Sequence, residues 1–393
     1  MFALTGGRVL TMAGKVLDCA SVLIDEGKIL AVGEELKLPP EAVVIDVTGK
    51  YVTPGLIDAH THLGVYGESL AWSGEDVNET SEPSTPELDV LDAIYPDDVG
   101  LADALAGGVT TVMVAPGSAN PIGGQCLVLK TRRRSTVEEM VLRRHAGLKI
   151  AFGENPRRVY GEGRKKAPVT RMAVAAQVRQ ALLKGREYLA GQGEKDHKFD
   201  LGLEAIARVL KHEMPLRAHA HRADDIVTAL RIADEFEVDV IIEHATEGHL
   251  IAEVLAAHKA RVVLGPSLVT RSKMELKERS FSTPAVLAGY GVPFALMSDH
   301  PVVPSAFLTV YAGLAVRFGL SEEQALRAIT LGAAEILGVA HRVGSICSGK
   351  DADLVVWNRP PLEVTARPEM VIVNGAIGKV DEAQRIAAWQ ESL

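Results

Sequence analysis

The feature that most constrains the fold is an alternation of short apolar segments with longer polar or helical stretches through the middle of the chain. Seven apolar segments, from GLIDAHTHL at 55–63 to PFALMSD at 293–299, are typical of buried strands. About eight buried parallel strands alternating with helices over about 290 residues predict an α/β fold, a (β/α)8 TIM barrel. The alternative, an open doubly wound sheet, requires a glycine-rich nucleotide loop, which the sequence lacks.

Two of the intervening stretches are helical by pattern. Apolar residues recur at helical spacing over 223–236. The stretch 320–338 opens with a capping box, Ser321 with Gln324, and closes at Gly338, which predicts one helix.

Both ends of the chain have the sequence pattern of strands, without helical segments. Glu26-Gly27 is a turn between two apolar runs, and Asn374-Gly375 has the signature of a tight hairpin. Residues 1–53 and 344–393 are therefore expected to form one small β-sandwich domain, with the barrel, 54–343, inserted between them.

The composition narrows the class of protein. The chain has 393 residues, with 42 Lys+Arg against 51 Asp+Glu, and the net charge of −9 argues against nucleic acid or an anionic membrane as partner. Three distant cysteines do not suggest a disulfide framework. With neither a signal-peptide pattern nor a long uninterrupted apolar run, we expect a soluble, cytoplasmic protein.

Polar side chains that bind metals follow several of the predicted strands. His60 and His62 are separated by one residue, so both imidazoles leave the same face of a strand. The same kind of residue ends four other strands: Glu154, the pair His219 and His221, His244, and Asp299. Because active sites lie at the carboxyl ends of barrel strands, these side chains predict a site for one or two divalent cations, with zinc the expected metal.

These motifs resemble those of the metal-dependent amidohydrolase superfamily. PGLIDAHTHLG at 54–64, the later histidines, Ser298-Asp299-His300 and GSICSGKDADLVVW at 344–357 carry the resemblance, which covers essentially the whole chain. Within the superfamily the chain looks closest to the imidazolonepropionase and prolidase-like branch. The segment GENPRRVYG at 153–161 resembles an uncharacterised subgroup.

The resemblance implies roles for single residues. His60, His62 and Asp299 match the ligands of one metal, and His219 and His244 match the histidines that hold a second metal or the substrate.

His221 competes with His219 for the fifth-strand role. We favour His219 as the ligand and His221 as a helper that stabilises the oxyanion or contacts the substrate.

The bridging position between two metals has two candidates. Many relatives have a carboxylated lysine there, which would be Lys149, whereas Glu154 lies nearer the expected strand end. Because the two positions differ by an odd number, a regular strand sends their side chains to opposite faces. We expect Glu154 to be the ligand.

The expected reaction is hydrolysis of the C–N bond of an amide, a cyclic amide, an N-acyl amino acid or a small peptide. Asp299 would be the general acid and base, while Arg157, Tyr160 and His300 would contact the substrate. A ring-amine deaminase and a non-catalytic scaffold are the alternatives, and the resemblance implies a homo-oligomer. The long acidic segment 66–98 is expected to be either disordered or a lid.

Overall fold

The computed structural model of the chain describes residues 1–68, 70–193 and 197–380. Part of the predicted C-terminal segment of the small domain, 381–393, therefore lies outside the described residues. The strands are β1 (Phe2–Leu10), β2 (Val16–Asp25), β3 (Lys28–Gly33), β4 (Val43–Asp46), β5 (Tyr51–Pro54), β6 (Leu56–Thr61), β7 (Val109–Val114), β8 (Ile122–Lys130), β9 (Val141–Ala151), β10 (Leu216–Ala220), β11 (Val240–His244), β12 (Arg261–Leu264), β13 (Phe294–Leu296), β14 (Leu354–Trp357), β15 (Pro368–Val373) and β16 (Ala376–Val380).

The helices lie mostly between the strands of the middle region. They are α1 (Val99–Ala106), α2 (Glu154–Arg157), α3 (Arg171–Ala190), α4 (Leu201–Leu210), α5 (Ala223–Phe236), α6 (Ala252–Ala257), α7 (Thr283–Gly289), α8 (Leu308–Arg317), α9 (Glu322–Ala328) and α10 (Leu331–Ile336). In the part of the chain that the structure describes, none of them is both long and apolar enough to cross a membrane.

The middle of the chain forms the predicted barrel. Strands β6 to β13 form one sheet in chain order, and the two end strands approach each other at a bridge between Thr61 and His300. The barrel strands are buried on both faces, as β6, β7 and β10 illustrate, since every residue in them is buried. The prediction of a TIM-barrel fold is confirmed.

One strand of the barrel differs from the prediction. Strand β8 runs antiparallel to both β7 and β9, although all strands were expected to be parallel. Its first residues include Gly123 and Gly124, and glycine is depleted in strands. A side chain at Gly124 would lie 2.6 Å from the Leu88 carbonyl oxygen, so glycine here permits close packing of the 66–98 segment. An antiparallel neighbour also needs no crossover helix, which explains the short connection from β7.

The two ends of the chain share a second sheet, in the order β16-β15-β14-β5-β1-β2-β3, with β4 paired to β1. Ile29 of β3 and Ile372 of β15 belong to one apolar cluster, so the sheet curls around a core as a sandwich does. Both predicted turns have positive φ at their two central residues, 46° and 79° at Glu26-Gly27 and 50° and 70° at Asn374-Gly375. The boundaries at 53/54 and 343/344 stay a prediction.

The two predicted helices have different outcomes. Helix α5 spans the predicted residues, whereas the stretch 320–338 contains two helices, α9 and α10, after the predicted capping box. The interruption follows from a tertiary contact, because the Ile57 N–H of β6 donates to the Ile329 carbonyl at 2.8 Å. The Thr330 hydroxyl, in turn, donates to the Leu326 carbonyl at 2.6 Å, in competition with helical bonding.

The segment 66–98 packs against the barrel. It forms isolated bridges to β8, from Ser84 to Ile122 and from Asp89 to Gln125. With the loop that follows β7, it also lines a cavity of about 430 Å³ next to the strand end of β6. The described part of this segment is ordered against the barrel, which contradicts the disordered alternative, and the role of a lid stays a prediction.

A buried ion-pair cluster joins the barrel to the sheet of the chain ends. The Lys130 ammonium, at the end of β8, lies 2.9 Å from Asp351 and 2.5 Å from Asp353. It also donates to the Asn374 side chain at 2.9 Å. These charges are almost fully buried, so each depends on its partners for compensation. Lys28 contacts the same Asp351 at 2.6 Å, but its side chain is 44% exposed.

We therefore expect Lys130→Met to lower the free energy of unfolding by about 3–5 kcal/mol, since it leaves the buried Asp353 carboxylate without its cation, whereas Asp351 retains Lys28 and Arg342. The matched variant Lys28→Met removes a solvent-screened partner of Asp351 and should cost under about 1 kcal/mol. Denaturant unfolding followed by circular dichroism measures both values. Equal costs for the two variants would contradict the assigned role of Lys130.

Candidate metal centre

The first group of metal-binding side chains comprises His60, His62 and Asp299 at the ends of β6 and β13. His60 Nδ1 lies 2.8 Å from Glu243 Oε2, and His62 Nδ1 lies 2.8 Å from the Ala115 carbonyl oxygen. With Nδ1 of each ring occupied, the Nε2 atoms face Asp299 Oδ1, at 3.5 Å and 3.3 Å respectively. One potential ligand atom from each of these three residues lies within 4.8 Å of the others.

The second group comprises His219, His221 and His244 at the ends of β10 and β11. One potential ligand atom from each again lies within 4.8 Å of the others. His221 Nδ1 is 2.8 Å from the Thr246 hydroxyl, and His244 Nδ1 is 2.9 Å from the Gly265 carbonyl oxygen. The ring centroids of His60 and His244 are 5.5 Å apart, so the two groups adjoin.

The backbone at two of the strand ends is in a conformation that L-residues seldom adopt. φ is 72° at His244, 46° at Ala245 and 55° at Asp299. Such conformations cost about 1–3 kcal/mol each and concentrate at functional sites. At β11, the turn allows the consecutive residues Glu243 and His244 both to reach the barrel interior.

Burial controls the charge of the site. It lowers the pKa of His219 to about 4 and the pKa values of His60, His221 and His244 well below their usual value. Burial raises the pKa of Asp299, but the hydrogen bond with His62 and the nearby Lys149 ammonium oppose burial, and the net pKa is lowered. These shifts favour neutral imidazoles at His60, His219, His221 and His244 beside an ionised Asp299 carboxylate.

This donor set fits a divalent metal. Among the described residues, buried His219 Nδ1 and His244 Nε2 have no hydrogen-bond partner. Unpartnered buried polar atoms are costly, and neutral imidazole nitrogens beside a carboxylate are the ligands that zinc and similar cations prefer. A bound cation would satisfy both orphaned nitrogens.

Lys149 and Glu154, the two candidates for the bridging position, lie in different places. Lys149 is buried within β9, and its Nζ is 3.4 Å from His60 Nε2. The strand ends at Ala151, so Glu154 already belongs to α2. Among the described residues, Glu154 joins neither group of potential ligands, and its role as a ligand stays a prediction. The strand alternation on which the parity argument relied stops before residue 154.

The predicted substrate contacts are only partly near the metal-binding groups. His300 follows Asp299, is buried, and has its Nε2 3.2 Å from Glu68 Oε1. Tyr160 is fully buried, and its hydroxyl donates to the Glu82 carbonyl at 2.7 Å, so it anchors the 66–98 segment, and its contact with a substrate stays a prediction. Arg157 Nε donates to the Val169 carbonyl at 3.1 Å.

Sequence reasoning missed a set of charged residues around the histidines. Glu243 contacts His60, and Arg217 Nε lies 2.5 Å from Glu243 Oε1. Burial raises the pKa of Glu243, and the Arg217 and Lys149 cations oppose that rise. Glu243 and Arg217 each interrupt an apolar strand, and a charged residue within a buried strand indicates a charge that has a partner.

Glu275 offers no comparable signal because it lies in a polar stretch of the sequence. Its carboxylate is 3.9 Å from His219 Nε2, 3.7 Å from His221 Nε2 and 2.6 Å from Lys273 Nζ. Burial raises the pKa of Glu275, but these neighbours outweigh burial and lower it overall. Glu275 is therefore a buried anion directly behind the second histidine group.

Comparison with known proteins adds an independent line of evidence. The sequence profile of the Amidohydrolase family matches residues 51–378. The chain is 30% identical to amidohydrolase tasK of Hapsidospora irregularis over 90% of its own length, and it spans 39% of that longer protein. It is 28% identical to the imidazolonepropionase of Paracoccus denitrificans strain Pd 1222, covering 90% of this chain and 91% of the relative. The imidazolonepropionase match agrees with the branch predicted from the motifs.

A solved structure extends this likeness to the fold. The amidohydrolase from Thermotoga maritima MSB8 superposes with a TM-score of 0.93 at 44% identity, covering 97% of this chain and all of that one. The profile match spans the whole barrel, β6 to β13, and part of the sheet formed by the chain ends. The chain belongs to the amidohydrolase family and is a hydrolase that acts on carbon–nitrogen bonds.

Proposed function

We propose that this protein is a metal-dependent hydrolase of amides, cyclic amides, N-acyl amino acids or small peptides. The observation that carries the proposal is the adjacency of two groups of potential ligands, His60, His62 and Asp299 beside His219, His221 and His244. Two adjacent groups offer places for two ions, with zinc the expected metal. The substrate is a small molecule, because the ligands lie inside the mouth of a barrel.

A divalent metal at this site would lower the pKa of a bound water towards about 7 and polarise the scissile carbonyl. The chain's own residues supply the proton transfers and the orientation. Asp299, ionised in the resting protein, would accept the proton of the attacking water and then deliver it to the leaving nitrogen. His221 would donate a hydrogen bond to the developing oxyanion if His219 and His244 are the ligands.

Lys149 is the better candidate for the bridging position. Burial lowers the pKa of its ammonium, which favours the neutral amine, and its Nζ lies beside His60 Nε2. A neutral amine can add carbon dioxide at nitrogen and release one proton to form a carbamate, whose two oxygens resemble those of a carboxylate ligand. We therefore propose Lys149, in carboxylated form, in the place first predicted for Glu154.

The general test is hydrolysis by metal-reconstituted protein of a panel of N-acyl amino acids, dipeptides and cyclic amides. We expect turnover of at least one class, and loss of turnover after chelation that returns with added metal. A protein that binds no divalent metal after metal-replete expression, by elemental analysis, would exclude the proposed mechanism.

For the general acid and base, we expect Asp299→Asn to lower kcat by about 10²- to 10⁴-fold because the amide cannot accept the proton. Steady-state kinetics on the substrate found by the panel measures the loss, and elemental analysis shows whether metal remains bound. Asp239→Asn is the matched control, since Asp239 precedes β11 at the end of that strand opposite His244. Unchanged kcat in Asp299→Asn would disprove the assigned role.

For the bridging position, we expect Lys149→Met to reduce the bound metal by at least one equivalent, whereas Glu154→Gln should retain the wild-type metal content. Elemental analysis of both variants after the same reconstitution gives the comparison. Incubation of the wild type with labelled bicarbonate should also produce a carbamate signal by NMR that Lys149→Met lacks. The opposite pattern of metal loss would restore Glu154 as the ligand.

A further inference from the structure

A chain of three buried side chains runs from β10 through β11 to the first ligand group. Arg217 Nε lies 2.5 Å from Glu243 Oε1, and Glu243 Oε2 lies 2.8 Å from His60 Nδ1. All three side chains have 0% exposure. Water cannot replace any of these contacts, so each member depends on the next.

The contact with Glu243 determines which nitrogen of His60 carries the proton. A carboxylate accepts hydrogen bonds, so the proton of neutral His60 is drawn to Nδ1. The lone pair then lies on Nε2, the nitrogen that faces Asp299 and Lys149. A carboxylate behind a metal-bound histidine fixes the ring and raises its basicity as a ligand.

The structure also accommodates and fixes the Arg217 guanidinium. Its Nη2 donates to the Ala59 carbonyl at 3.0 Å, one residue before His60. Gly147 of β9 makes room for it, because a side chain there would lie 2.2 Å from Arg217 Cγ. Arg217 therefore holds the Glu243 carboxylate in place and contacts the strand that carries the ligand.

We propose that Glu243, held by Arg217, is the positioning residue that presents His60 Nε2 to a metal. The next residue, His244, belongs to the other ligand group. The end of β11 thus supports one group through Glu243 and supplies a ligand to the other. This inference rests on the proposed metal-dependent function, but its first test does not need activity.

The first experiment reads the tautomer directly. Nitrogen NMR of histidine-labelled, metal-free protein should show His60 protonated at Nδ1, with the signal assigned by its loss in His60→Asn. Glu243→Gln alone leaves the Arg217 charge buried and uncompensated, so the variant of choice is Glu243→Gln with Arg217→Met, which removes both charges. In this double variant we expect the Nδ1 preference of His60 to be lost or reduced.

The second experiment measures metal affinity. Titration with Co²⁺, followed by its visible absorption and by chelator competition, should show one equivalent bound about 10- to 100-fold more weakly in the double variant. The other equivalent should keep its wild-type affinity. Glu247→Gln is the matched control, because the Glu247 carboxylate accepts from the Ala223 N–H at 2.9 Å on the loop after β11. We expect it to bind both equivalents like the wild type.

Thermal unfolding of the metal-free proteins separates positioning from folding. If the double variant folds but keeps both the wild-type tautomer and both affinities, the inference is overturned. If the double variant does not fold, Glu243→Gln and Glu243→Asp replace it, and wild-type affinity in both would overturn the inference equally. Absence of turnover on every panel substrate, with the tautomer and affinity shifts present, would count against the proposed function and leave the role of Glu243 supported.

Discussion

The burial of ionisable groups inside the barrel is the constraint on which the rest of the structure depends. An isolated charge in such surroundings is costly, so each buried group needs either a partner or a neutral form. Asp58, two residues before His60, illustrates the rule. Burial raises its pKa to about 6, and its carboxylate accepts hydrogen bonds from the hydroxyls of Ser298 and Ser305. Asp58 thus holds Ser298, the residue that precedes Asp299.

The same constraint connects the barrel with the sheet of the chain ends. Lys130 is the last residue of the antiparallel strand β8, and its partners Asp351 and Asp353 come from the C-terminal part of the chain. A carboxylate pair buried without this cation would be unstable, so the two parts of the fold compensate each other's charges. The Trp357 indole packs near the same junction, where a side chain at Gly108 would meet its ring at 3.1 Å.

Much of the fold and part of the site could be predicted from the sequence because strand and helix periodicity are local properties. The spacing of His60 and His62 gives their common face, and the hairpin at Asn374-Gly375 follows from the turn residues alone. Contacts between distant segments were less predictable. Strand β8 was missed because its Gly124, a residue type depleted in strands, is required by close packing of the distant 66–98 segment, and the break between α9 and α10 reflects a hydrogen bond from β6.

The candidate site shows the same division between local and distant information. A strand pattern can reveal which way Lys149 points, but not that β9 ends at Ala151, so that Glu154 lies in α2 and not on the strand that carries Lys149. Tyr160 was placed in the site because it is near Glu154 in sequence, whereas its hydroxyl contacts Glu82, 78 residues earlier. Glu275 reaches the histidines only through the path of its loop, for which the sequence has no periodic signal.

The antiparallel course of β8 has a consequence for the order in which the barrel assembles. Strands β7, β8 and β9 follow one another as a meander, so their pairing requires closure of short loops only. The parallel pairs elsewhere in the barrel require a helical crossover before they meet, and local contacts generally form faster than distant ones. We expect this meander to be an early structured unit in folding, onto which the strands that carry the histidines are added later.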